Sequence, residues 1–423
     1  MTETQTGATG DIKALWVPPQ IPSRYEVIPI HNSDRGNYKR CRRYFDWTSP
    51  ARQNLSLRAD INGINTDLWF GTAIHWCLEQ YYQPGLKHDP VESFKTYFDI
   101  QWRGGVVIPY WLDKVYDLNP IQRDNDLWEV RGLMDILPDA DEEEFNALFE
   151  LGTHMMSAYR DYAARMDGFE VLVTEHDFSV PIWDFENECV LKAVDLREQS
   201  PNYGKTLEVH NRGRMDAIWA KPNGKLGIID HKTSSRIDED FFEKLDTDEQ
   251  CTSYLLAAEI EAKYYDLPYA GQPIEEVTYN VLRKTFPKPP TVVRGGLFSI
   301  DRQKESPTYD MLLEWMQVQD PPLNIEDLPI EHQAYVSYVR DSADEQFFIR
   351  KHVRRNRHQL ANASYRLYQE AMDMLDPNLR IYPNLRNDYS CLRCAFRAPC
   401  LAREDGSDWE QLINDNYVRQ RDR

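Results

Sequence analysis

Apolar and polar positions change period several times along the chain, and each change predicts an element. Over residues 68–82 the apolar positions Phe70, Ile74, Cys77, Leu78 and Tyr81 recur at helical spacing, with His75 beside that stripe. Helices are also expected over 91–102, 142–164 and 248–263. Residues 169–182, 215–219, 226–229 and 276–284 have strand character. Residues 33–45 read as a short helix carrying Cys41, and the proline-bearing stretch 285–340 reads as an insertion. Ser342-Ala343-Asp344-Glu345 has capping-box form and predicts a long helix to Leu375, on which Arg350, Arg354 and Arg357 share a face. Strands alternating with helices in the middle, and helices on both flanks, predict an α/β fold. It would have a mixed central sheet flanked by helices, with helical insertions. Residues 1–20 read as a disordered lead. Residues 21–423 read as one elaborated domain, with a core at about 66–284 and a C-terminal helix and cysteine-bearing segment at 341–423.

The two central strands are joined by Lys221-Pro222-Asn223-Gly224-Lys225. A two-residue Asn-Gly loop would pair Asp216 with His231, whereas a three-residue Pro-Asn-Gly loop pairs Asp216 with Asp230 on one sheet face. Proline suits the first corner of a type I turn, asparagine the next position, and glycine the left-handed position after it, so the second register is expected. Directly opposed residues place their Cβ atoms about 4.5–5.5 Å apart. Two carboxylates that close need a cation or a proton between them. Lys232 falls on the same face by strand alternation, placed to orient or activate a water and to stabilise charge on an attacked phosphate. His231 faces the other way, with its carbonyl in reach of the metal. Such a set of hard oxygen donors describes a magnesium or manganese site.

Charge and cysteine content modify this picture. A net charge of −20 over 423 residues is not the footprint of a nucleic-acid binder. Basic residues nonetheless concentrate at positions 39–43, 350–357 and 419–423, so an acidic shell around basic clefts stays compatible with a DNA enzyme. No uncharged apolar run reaches the roughly 18 residues of a membrane span, and the N-terminus lacks signal-peptide features, so a cytoplasmic protein is expected. In that compartment cysteines serve as metal ligands or core thiols rather than disulfides. Cys77, Cys189 and Cys251 read as buried thiols. Cys41, Cys391, Cys394 and Cys400 form a candidate ligand set, open to zinc or to an iron–sulfur cluster on donor chemistry alone.

Gly213-Arg214-Met215-Asp216 followed by Ile228-Ile229-Asp230-His231-Lys232-Thr233 resembles the core of the PD-(D/E)XK nuclease superfamily in its RecB-like branch. Its restriction-endonuclease-like sheet is the fold this implies. His75 in FGTAIH resembles the branch's upstream metal-binding histidine, and Gln250 with Tyr254 matches its Gln-X-X-X-Tyr motif, which contributes to the active site and to DNA contact. Glu175 resembles an acidic position on the preceding strand. One early cysteine followed by Cys-X2-Cys-X5-Cys resembles the iron–sulfur nucleases related to AddB and the CRISPR-associated RecB-like exonucleases. The resemblance therefore implies a Mg2+- or Mn2+-dependent DNA exonuclease with a structural [4Fe-4S] cluster. Asp216, Asp230, His75 and His231 would serve the metal, Lys232 the water, Gln250 and Tyr254 the strand, and Arg350, Arg354 and Arg357 the phosphates. The sequence has no Gly-X-X-X-X-Gly-Lys-Ser/Thr phosphate loop, so a helicase or recombination partner would supply any motor. The competing expectation is a non-catalytic DNA-binding or assembly protein that keeps this fold and its cysteine site.

Overall fold

A computed structural model describes residues 22–23, 26–58, 65–85, 88–107, 121–124, 127–136, 141–198, 200–264, 274–302, 304–385 and 389–420. The polar lead at 1–20 lies outside them. Among the described residues, seven strands form one mixed sheet: β1 (Val27–His31), β2 (Glu170–Pro181), β3 (Lys192–Val194), β4 (Thr206–Ala220), β5 (Leu226–Ser234), β6 (Ile274–Arg283) and β7 (Phe348–Val353). The long strand β4 is the organiser. Along one edge it pairs antiparallel with β2 and β3. Along the other it takes β1 in parallel up to Arg212, and β5 antiparallel from Ala217. Parallel β6 and antiparallel β7 extend the sheet beyond β5.

Strand alternation divides the core into two layers. Ala217, Trp219, Ile229 and Leu282 face α3 (Thr66–Tyr82), α4 (Pro90–Arg103) and α5 (Glu142–Met166). Ile218, Ile228, Val277 and Tyr279 face α7 (Glu249–Tyr264), which follows the shorter α6 (Glu239–Thr247), and Met215 joins them across an irregularity at Glu175 on the neighbouring strand. The stretch expected as an insertion forms its own apolar cluster around Phe298, Leu312 and Val336, with α8 (Tyr309–Gln317) and α9 (Ile330–Asp341). Among the described residues no helix is long and apolar enough to cross a membrane.

Four expectations change. The long C-terminal helix does not start at Ser342: residues 348–353 are strand β7, paired to β6. The helix is α10 (Arg357–Leu375), opened by a reciprocal capping box between Asn356 and Gln359. Arg350 is therefore on a strand, Arg354 in the connection and Arg357 at the helix start, so the three share no helix face. Cys41 is not inside a helix but in extended backbone between α1 (Asn32–Arg40) and α2 (Arg42–Thr48). Cys189 is exposed on a small separate hairpin, where it pairs with Asp184, whereas Cys77 and Cys251 are buried. Finally, the sheet reaches beyond residues 66–284, since β1 and β7 come from either side of that span.

Candidate active site

The site lies where β4 loses its neighbours. Between Arg212, the last residue paired to β1, and Ala217, the first paired to β5, one edge of β4 is open. The Pro222-Asn223-Gly224 turn sets that register. Lys221 and Lys225 close it with a 2.8 Å backbone hydrogen bond, and Gly224 takes φ 81°. The last laddered pair is Ala217 with Ile229, so Asp216 and Asp230 come next in register, just past the point where the strands part. In that opening the Asp216 carboxylate accepts the His231 backbone N–H at 2.7 Å. Gly213 sits opposite Phe178 on β2, where a Cβ would meet the Phe178 ring at 2.6 Å, so only glycine lets β4 pass that ring.

Behind Asp216, on β2, stands Glu175, flanked by the Met215–His176 and Ala217–Thr174 pairs. Its φ of 49° is left-handed, a conformation that costs a non-glycine residue about 1–2 kcal/mol. Arg214 Nη1 donates to its carboxylate at 3.1 Å.

On β5, Asp230 and Lys232 point to the α7 side and His231 to the α3 side. Lys232 Nζ lies 2.7 Å from Asp230 Oδ2 and donates to Gln250 Oε1 at 2.8 Å. Gln250 Nε2 donates in turn to the Tyr254 hydroxyl at 2.6 Å, so the two residues four apart on α7 act as one bracket for the lysine. The His231 ring is buried, stacked on Tyr82 at 5.8 Å between centroids, and accepts at Nδ1 from Asn280 Nδ2 at 2.9 Å. Its side chain is thus committed to the core layer. From α3, His75 brings Nδ1 to 3.4 Å from Asp216 Oδ2.

The electrostatics follow from two carboxylates in a small, dry volume. Burial and the neighbouring Asp230 push the Asp216 carboxyl well above the usual carboxylate range. Burial opposes the charge on Lys232, yet Asp230 and Asp216 outweigh it and hold its pKa above the ordinary lysine value. Burial lowers the pKa of His75, and burial together with His75 lowers that of His231 well below the usual imidazole value.

Among the described residues, no three His, Cys, Asp or Glu side chains already surround a common point as metal ligands do. The donors nonetheless fit a hard divalent cation. Asp230 Oδ2 is buried, and the group that meets it is the Lys232 ammonium at 2.7 Å. One lysine does not offset two carboxylates this close, and a divalent cation on their oxygens would answer the repulsion between Asp230 and Asp216.

Cys41, Cys391, Cys394 and Cys400 lie along the seam where residues 41–57 meet residues 384–417, but among the described residues no three of them are spaced as metal ligands. The Asn384 N–H points to Cys41 Sγ at 3.4 Å and the Asn384 carbonyl lies 3.6 Å from Cys391 Sγ. Cys394 and Cys400 pack on the aromatic cluster of Trp47, Phe396 and Tyr417, and Arg43 Nη1 reaches Cys400 Sγ at 3.5 Å. All four are free thiols, the soft donors that iron or zinc takes.

The arginines separate by role. Arg350 Nη2 pairs with Asp167 at 2.5 Å and lies near the Tyr82 hydroxyl at 3.3 Å, behind the His231 ring. Arg354 makes two bonds to Glu276 at 3.0 and 2.6 Å from an exposed position, and Arg357 is exposed.

Sequence reasoning missed two residues that set this geometry, Asp248 and Asn280. Asp248 accepts from the Gln250 N–H and from the Tyr279 hydroxyl, both at 2.8 Å, and so fixes the start of α7 against β6. Asn280 fixes the His231 ring. The signals were faint: Asp248 lies in an acidic run, although its place two residues before Gln250 is that of a helix cap. No curated protein matches the sequence. The PD-(D/E)XK nuclease superfamily profile matches residues 36–401, most of the chain and every element of the site described above, and the chain therefore belongs to the PD-(D/E)XK nuclease superfamily.

Proposed function

We propose that this protein is a divalent-metal-dependent deoxyribonuclease that degrades DNA from its ends. The observation that carries the reading is the meeting of Asp216, Asp230 and Lys232 where β4 and β5 part, two neighbouring carboxylates facing a single lysine. Asp216, Asp230 and His75 would hold Mg2+ or Mn2+, with the His231 carbonyl as a further oxygen donor. Bound there, the ion supplies Lewis-acid polarisation of the phosphate and a more acidic water. Lys232 is fixed by Asp230 and Gln250 and positions the attacking water, neutralising charge as it grows on the phosphate. Gln250 holds that lysine, with the buried Tyr254 hydroxyl bracing Gln250 from behind, while Glu175 adds negative charge behind Asp216. Arg354 and Arg357 are the exposed members of the basic set and meet the DNA backbone, with Arg350 beneath them.

Cys41, Cys391, Cys394 and Cys400 hold a [4Fe-4S] cluster that ties the first helices to the C-terminal segment. Strands for digestion come from a separate helicase or recombination partner.

The test compares the parent protein with Lys232→Ala on end-labelled linear and on circular DNA with Mn2+. Degradation of the linear substrate alone by the parent, and a rate lower by about a hundred- to a thousandfold in the variant, support the reading. Equal rates in both proteins would remove the catalytic assignment and leave a DNA-binding or assembly protein.

A further inference from the structure

We propose that a cavity beside the reaction centre, walled in part by the insertion, receives one unstacked nucleobase of the DNA strand and favours bases that carry an exocyclic amino group. The inference rests on the nuclease reading and extends it to substrate preference. The cavity is a half-open cleft of about 600 Å³, lined by the β5–α6 connection, the start of α6, the ends of β6 and β7, Arg302 and α9. That volume is in the range of pockets that enclose small organic groups, about 300–1,000 Å³.

Its position follows from strand register. Arg283, in the lining, pairs with Ser234, two residues beyond Lys232 on the same sheet face and so about 7 Å farther along the strand. A nucleotide next to the scissile phosphate reaches that distance.

The chemistry of the lining selects a base over a phosphate. Arg236, Arg283 and Arg302 are matched by Asp238, Glu239, Asp240 and Glu345, so the cavity offers no excess of positive charge to a phosphate. Arg236 is also engaged by Asp238, and Arg283 Nη1 donates to the Glu305 carbonyl at 3.3 Å. The Arg302 guanidinium carbon lies 3.8 Å from the Tyr338 ring centroid, which makes a flat cationic and aromatic wall of the kind on which bases stack. The carboxylates of the same lining can accept from an amino group, as Asp and Glu do from the N4 amino group of cytosine. Thymine presents a carbonyl oxygen there, which a carboxylate repels.

Binding of fluorescent oligo(dC) and oligo(dT) of equal length, measured by anisotropy in EDTA, separates the terms without cleavage. The parent should bind oligo(dC) several-fold more tightly. Arg302→Ala, at an exposed position, and Tyr338→Ala should weaken both by about tenfold, with Tyr338→Phe retaining affinity. The double variant Asp240→Asn with Glu345→Gln, both exposed, should erase the preference for oligo(dC). Equal affinity of the parent for both oligonucleotides, or unchanged binding by Arg302→Ala and Tyr338→Ala, would overturn the proposal. If Lys232→Ala still abolishes cleavage in that case, the nuclease reading stands and only the base pocket falls. Cleavage unaffected by Lys232→Ala alongside an intact base preference is the reverse outcome.

Discussion

Arg350 gives the sharpest separation of structural from DNA-contacting charge. Its guanidinium and the Asp167 carboxylate lie 2.5 Å apart with side-chain exposures of 11% and 17%. Around them are the Tyr162 and Phe169 ring faces at 5.2 and 5.3 Å, and Nε donates to Asn280 Oδ1 at 3.4 Å. Arg350→Ala removes the partner of a largely dry carboxylate and loosens Asn280, which fixes His231. Breaking a fully buried pair costs about 3–5 kcal/mol, and discounting for the residual exposure leaves about 2–4 kcal/mol. Urea unfolding of the variant should therefore show a midpoint lower by about 1 M with an unchanged slope. A cycle with Asp167→Asn should recover part of the loss, because the single arginine deletion strands the carboxylate. DNA affinity and its salt dependence, measured on folded protein, should match the parent, since a residue that touches no phosphate releases no counterion. A variant as stable as the parent, with weaker and less salt-sensitive DNA binding, would refute the argument and make Arg350 a phosphate ligand.

Other consequences are direct. Gly213→Ala drives a methyl group into Phe178, which packs edge-on to Tyr254 at 6.1 Å; we expect about 1–3 kcal/mol of destabilisation in urea and a slower cleavage rate at saturating Mn2+. Burial opposes the charge on Asp195, but hydrogen bonds from Arg197 at 2.7 and 2.8 Å and from Ser200 hold its carboxyl below the usual range. A pKa lowered by folding adds stability that is fully present above about pH 4 and is lost as pH falls, so Asp195→Asn should flatten the acid limb of a stability–pH curve. Anaerobically purified protein should be brown and contain about four irons per chain, a number that Cys391→Ser lowers; a colourless, zinc-loaded sample would replace the cluster with zinc.

The central hairpin was legible because its determinants are local. Pro222, Asn223 and Gly224 fix the turn, and once the register is set Asp216 must follow Ala217 into the place opposite Asp230. The helix bearing His75 was equally readable from its apolar stripe. Strand β7 was not. Its pairing, Val277 with Val353, joins segments far apart in sequence, and its two buried ends, Phe348 and Val353, lie five apart on opposite faces, so the run shows no apolar alternation of the kind that marks a strand. Ser342–Glu345 imitated a helix start that Asn356 and Gln359 actually supply. Strand β1 went unseen for a similar reason, since Val27–His31 is a five-residue run that is stable only beside residues 208–212 of β4. The opening of β4 between Arg212 and Ala217, the feature that creates the site, is bounded by the local hairpin on one side and by the non-local pairing to β1 on the other, so a local window shows only half of it.

The central claim is that Asp216 and Asp230 jointly hold a divalent ion for hydrolysis. The most direct measurement is the Mn2+ dependence of the initial cleavage rate on end-labelled DNA for the parent, Asp216→Asn and Asp230→Asn. Asparagine keeps the side-chain shape and, at position 216, an acceptor for the His231 N–H. The account predicts saturable Mn2+ activation in the parent, no activity in EDTA, and a rate lower by at least about a hundredfold in either variant. Cleavage by either variant at the parent's rate and with the parent's Mn2+ requirement would contradict it.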